Sequence, residues 1–150
     1  MFGPLRTPGD RERLILDENV FIESVLPSGM AHTLTEEEWN AYRAPYLRPA
    51  DRLPILAWVQ QIPIGGQPAD VHAAVLENQR MLLAGAIPRL LLYGEPGAVV
   101  DASTVKWCAD AANQLLTVRP VGAGMHFLPE DRAGEIALEL ESWLPAAFTS

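Results

Sequence analysis

The chain has 150 residues, with 11 Lys and Arg against 19 Asp and Glu, and a formal charge of -8. That length suits one domain or part of a larger one. The 49% apolar content argues against disorder, and the acidic balance without a basic cluster excludes a nucleic-acid partner. No stretch approaches the run of about 18–20 apolar residues of a membrane span. The single Cys108 excludes an intrachain disulfide and a Cys-based zinc site, and fits a reducing, cytoplasmic compartment.

In chain order, the spacing predicts a helix over residues 10–26, with Leu14, Phe21, Ile22 and Val25 on one side and Pro27 closing it. Residues 34–46 carry the best local signal. Thr35 and Glu38 form a capping box, and Leu34 and Trp39 sit at the hydrophobic-staple positions. Pro45 ends or kinks that helix. A short helix follows over 51–61, then Pro63 and Gly65-Gly66 break the chain. Residues 69–84 read as a long helix with Val71, Ala74, Val75 and Leu82 on one stripe. Residues 89–93 form a continuous apolar run between Pro88 and Gly94, the pattern of a strand buried on both faces. A helix over 103–112, capped by Asp101 or Ser103, and a second strand over 115–121 complete a βαβ unit. The last helix, 130–144, spaces Ile136, Leu140, Trp143 and Leu144 on one face.

Two strands make a poor parallel sheet, because such sheets have several strands and are covered on both faces. The expectation is therefore an α/β protein in which this chain lacks the N-terminal half of the sheet, or is completed by a partner. Ligands of open α/β sheets bind beyond the carboxyl ends of the strands. Here those ends feed the loops Gly94–Val100 and Gly122–His126. His126, on a glycine-rich loop, is the candidate general base. His32 is read as structural or exposed and His72 as solvated, and the three scattered histidines make no metal site. Glu36-Glu37-Glu38 and Glu130-Asp131 sit in first helical turns, where the macrodipole favours them. Cys108 is read as a small buried hydrophobe.

The order strand, GEPGA (residues 94–98), helix, strand, GAGMHFLPED (122–131), helix resembles the C-terminal part of the α/β-hydrolase fold. DENVFIESVLP (17–27), LTEEE (34–38), YRAPY (42–46) and IPIGGQPAD (62–70) sharpen this to a resemblance to haloalkane dehalogenases over nearly the whole chain. The resemblance implies a helical cap over residues 1–67 and the end of the main domain over 68–150. It implies an aspartate that displaces halide to form an alkyl ester, and a histidine, here His126, that activates water to hydrolyse it. The nucleophile, the triad acid and the halide donors are expected outside this chain, so the chain alone is expected to be inactive. Glu95 is not placed in the triad. Positions matching the substrate pocket are Phe2, Leu5, Phe21, Val25, Trp58, Val59, Ile62, Ala98, Val99 and Phe127. Val59 stands where many relatives carry proline. The implied partners are a small halogenated hydrocarbon, water and halide, and the missing N-terminal half. No cofactor or metal is implied. The alternatives are an epoxide hydrolase, a coelenterazine-type luciferase or an inactive truncated product. Tyr42 and Tyr46, one turn apart, match poorly the converging tyrosines of an epoxide hydrolase.

Overall fold

The computed structural model describes residues 3–148, so the pocket candidate Phe2 lies outside the described residues. The chain divides into two units. One comprises Met1–Ser28 and Thr33–Asn78, and the other Gly29–His32 and Gln79–Ser150.

The first unit is built from short helices because proline and glycine punctuate it. A 3-10 turn at Pro4–Arg6 precedes α1 (Asp10–Glu12) and a π-turn at Arg13–Asp17. A second π-turn at Phe21–Val25 leads into α2 (Leu26–Ser28). The continuous helix expected over 10–26 is thus broken. The break is at Asn19, a non-glycine residue with φ of 51°. That conformation cannot continue a right-handed helix, and asparagine is one of the few side chains that tolerate it.

α3 (Glu36–Arg43) starts where the capping box places it. The Glu38 N–H donates to the Thr35 hydroxyl at 3.3 Å, and the Thr35 N–H donates to Glu38 Oε2 at 2.8 Å. The helix then tightens into a 3-10 turn at Ala44–Tyr46 around Pro45. A further 3-10 turn at Pro49–Arg52 leads into α4 (Leu53–Gln60). The core of this unit is Leu5, Ile15, Ile22, Leu26, Leu34, Ile55 and Val59.

Arg52 is buried in that unit and acts as a hub. Its guanidinium donates to the carbonyls of Tyr46 (2.9 Å), Leu47 (3.2 Å), Leu16 and Asp17 (3.3 Å). These are carbonyls that the ends of short helices leave without intrahelical partners. Arg52→Ala is expected to destabilise the protein by about 2 kcal/mol, because four part-buried carbonyl acceptors lose their shared donor together. Urea denaturation measures it. Arg52→Lys should recover only part, since one ammonium cannot span the same fork of acceptors.

α5 (Ala69–Ala84) follows the expected bounds. β1 (Arg89–Pro96), α6 (Ala102–Ala111) and β2 (Leu116–Gly124) form the βαβ unit, and α7 (Leu128–Phe148) closes the described chain. β1 and β2 pair in parallel, from Arg89 opposite Leu116 to Pro96 opposite Gly124, with an irregularity between Tyr93 and Glu95. Among the described residues the sheet has these two strands only. Arg89–Tyr93 are half-buried rather than buried, as befits a strand with one neighbour. The strands run past Gly94 and Val121 because the ladder resumes at Glu95 opposite Ala123.

Asp101, not Ser103, caps α6. Its Oδ1 accepts from the Thr104 N–H (2.8 Å), the Ser103 hydroxyl (2.8 Å) and the Thr104 hydroxyl (2.9 Å). These bonds, the Thr104 backbone N–H foremost, pull its carboxyl down to about 2. A depressed carboxyl contributes stability above its ordinary titration range and loses it as pH falls through the folded value. The Thr104 amide is therefore expected to keep its protection at pH 4 and lose it toward pH 2. Hydrogen exchange followed by NMR measures this, and Asp101→Ala should abolish the dependence in that window.

Candidate active site

The carboxyl ends of the two strands come together through glycines. The Cα of Gly94 faces that of Gly124 so closely that a Cβ on Gly94 would lie 3.0 Å from it, and 2.5 Å from Leu128 Cδ2. The Gly97 N–H then donates to the Gly124 carbonyl at 3.1 Å, closing the ends of the two strands onto each other. Gly97 has φ of 71°, a turn that a side chain would strain. Two loops leave this edge. One carries Ala98 and Val99, both exposed, and the other carries Met125, His126 and Phe127 between β2 and α7. Glu95 is exposed, one residue before the end of β1.

His126 is exposed at the mouth of this edge, and the half-buried Phe127 ring packs edge-on to its imidazole at 4.9 Å. The backbone of the loop is held firmly. The His126 and Phe127 N–H groups both donate to the Gly29 carbonyl, at 2.8 and 2.9 Å. Gly29 approaches so closely that a Cβ there would lie 2.7 Å from the Phe127 ring and 3.2 Å from His126 Cβ. Beside it, Asp131 of α7 receives the Ala31 N–H on both carboxylate oxygens (3.0 Å each) and pairs with His32 Nδ1 at 2.8 Å. The Asp131 side chain is only 3% exposed. Burial pushes its carboxyl up, but hydrogen bonds from His32 and from the Ala31 and Met125 N–H groups outweigh that and hold it below the ordinary range.

The remaining pocket candidates fall in the first unit. Leu5 and Val59 are buried, Phe21, Val25 and Ile62 are half-buried, and Trp58 is 53% exposed. Phe21 and Trp58 meet edge-to-face, with ring centroids 5.4 Å apart. Val59 has no exposed surface at all and packs as a core residue of α4. His72 is half-buried near Gly66 rather than fully solvated. No group of three or more potential ligands that could hold a metal ion occurs among the described residues. Nor is any of their helices long and apolar enough to cross a membrane.

The sequence reading placed Asp131 in a first helical turn but not in this clamp, and it passed over Gly29. Nothing near Asp131 signals its role, because its partners Ala31 and His32 lie 100 and 99 residues away.

No family model matches the chain. It is similar, however, to haloalkane dehalogenases. It is 40% identical over 144 residues to one from Bradyrhizobium diazoefficiens, covering 96% of this chain and 46% of that protein. It is 39% identical over 145 residues to one from Mesorhizobium japonicum, covering 97% of this chain and 47% of that protein. The fold superposes on the crystal structure of haloalkane dehalogenase DbeA from Bradyrhizobium elkani with a TM-score of 0.91 at 39% identity, covering 97% of this chain and 50% of that one. The chain thus spans about half the length of the relatives it matches. By sequence and by fold, this chain is a relative of the haloalkane dehalogenases within the α/β-hydrolase superfamily, and it corresponds to their C-terminal portion.

Proposed function

We propose that the whole protein hydrolyses carbon–halogen bonds, and that this chain supplies its general base, His126, and part of an apolar pocket. In this reading residues 1–67 belong to the cap and residues 68–150 to the main domain. A carboxylate from outside this chain attacks the halogen-bearing carbon. The new C–O bond forms as the C–X bond breaks, and halide leaves with the bonding pair. His126 then takes a proton from water, the resulting hydroxide adds to the ester carbonyl, and the C–O bond to the alkyl group's oxygen breaks. The adduct's O–H proton passes to that oxygen, alcohol departs with the carboxylate restored, and His126 releases its proton to solvent. The observation that carries the reading is His126 on a pinned loop at the carboxyl end of β2, in a chain about 40% identical to haloalkane dehalogenases. Leu5, Phe21, Val25, Trp58, Ile62, Ala98, Val99 and Phe127 suit a small halogenated hydrocarbon, since all are apolar. The proposed setting is cytoplasmic, with no cofactor required.

The test uses this chain joined to the part of DbeA that it does not span. Halide and alcohol should appear in equal amounts from 1,2-dibromoethane and 1-iodohexane. The 150-residue chain alone should release neither. A completed, folded protein that releases no halide from any short haloalkane would overturn the reading.

A further inference from the structure

We propose that Asp131 is a positioning residue for His126, acting through the Gly29–His32 segment that it anchors. The inference rests on the general-base reading of His126. A base must be held to within a fraction of an ångström of the water it activates, so its backbone has to be fixed as well as its ring. Two consecutive peptide N–H groups, those of His126 and Phe127, converge on one acceptor, the Gly29 carbonyl. Both lone-pair directions of that oxygen are thereby used, which fixes the two peptide planes and with them the direction of the His126 Cα–Cβ bond.

The Gly29 carbonyl is only as well placed as the segment that carries it. That segment is tied down two and three residues later, where Ala31 donates to both Asp131 oxygens and His32 pairs with one of them. Asp131 itself stands in the first turn of α7, directly after the loop, and its own N–H donates to the Phe127 carbonyl at 3.3 Å. The arrangement is a closed ring: His126 loop, Gly29 carbonyl, segment 29–32, Asp131 carboxylate, and back to the loop through Phe127. The Asp131 carboxylate is buried, so its charge-assisted bonds are strong and costly to break. Gly29 lacks a side chain, and this lets the segment lie against the Phe127 ring.

The distinguishing test separates the two chemical steps in the completed enzyme. Rapid-quench measurement gives the rates of ester formation and ester hydrolysis for Asp131→Asn, His32→Ala, His32→Arg and His126→Gln. Displacing the base affects only hydrolysis. Asp131→Asn should therefore slow hydrolysis about tenfold or more and leave ester formation within about twofold. His32→Ala should slow it about threefold, and His32→Arg, which again places a donor beside Asp131, should restore it. A merely structural loss would reduce both steps together, through the fraction of folded enzyme. If Asp131→Asn does not fold, the pair His32→Ala and His32→Arg carries the same comparison. Unchanged ester hydrolysis in Asp131→Asn and His32→Ala, with His126→Gln stalled at the ester, would overturn the positioning role and leave His126 as the base. Normal hydrolysis by His126→Gln would overturn the general-base reading, and the positioning role with it.

Discussion

His126→Gln in the completed enzyme is expected to abolish steady-state turnover while leaving ester formation intact. Glutamine fills a similar volume and can hydrogen-bond, but it cannot take a proton from water near neutral pH. In the proposed mechanism the first chemical step needs no base, because a carboxylate is already the nucleophile. The second step needs one, so the alkyl ester should accumulate to about one equivalent per active site. Loss of the general base should lower the overall rate by about 10²–10⁴-fold. Mass spectrometry of the quenched protein would show the mass of the alkyl group added to a carboxylate outside this chain. Steady turnover at the unmodified rate would remove His126 from the mechanism. The loop geometry makes this variant a clean test. The His126 N–H and its Gly29 acceptor belong to the backbone and survive the substitution.

Gly94→Val is expected to be among the most damaging substitutions in the second unit. Its Cβ would meet Leu128 Cδ2 at 2.5 Å and the backbone of Gly124 at 3.0 and 3.2 Å. Leu128 could swing aside at modest cost, but the Gly124 backbone is part of β2 and cannot move without parting the strands. Overpacking of this kind costs about 1–3 kcal/mol, and a β-branched side chain against main chain sits at the upper end. The control is Gly134→Ala in α7, where an added Cβ meets nothing within 4 Å. That change should stabilise the protein by up to about 0.5 kcal/mol, less than in a helix interior, because Gly134 stands in the first turn after the non-helical Arg132 (φ of -139°). Thermal unfolding of the two variants side by side should move in opposite directions.

The elements legible in the sequence were those set by neighbours in the chain. The Thr35–Glu38 box needs only residues three apart, and the structure forms it as the pattern requires. The bounds of α5 and the parallel pairing of β1 with β2 followed from periodicity and from the rule for βαβ units. Errors arose where local signals are ambiguous. Gly94, Pro96, Gly122 and Gly124 read as turn residues, yet both strands extend over them: the ladder breaks at Gly94 and Gly122, resumes at Glu95 opposite Ala123 and at Pro96 opposite Gly124, and Gly94 and Gly124 approach each other too closely there for side chains. Asn19 broke a helix whose apolar spacing looked continuous, since a single left-handed residue leaves the hydrophobic pattern untouched. The fold and the placing of His126 at a strand's end were readable from pattern and resemblance together. The contacts that hold the loop were not, because a carboxylate and the amide it serves 100 residues away share no local signature.

That long separation has a consequence for how the protein is made. Residues 29–32 leave the ribosome about 100 residues ahead of Asp131. At roughly 5–20 residues per second, the receiving segment waits about 5–20 s for the loop it will hold. Over that interval the Gly29 carbonyl and the Ala31 N–H lack the partners they have in the folded protein. The geometry of the His126 loop is accordingly set only once α7 has emerged. Chains interrupted before α7 should contain a formed capping box at Thr35 and no clamp. Excising residues 79–150 as a separate piece would remove the clamp's other half, because the second unit is not contiguous in sequence.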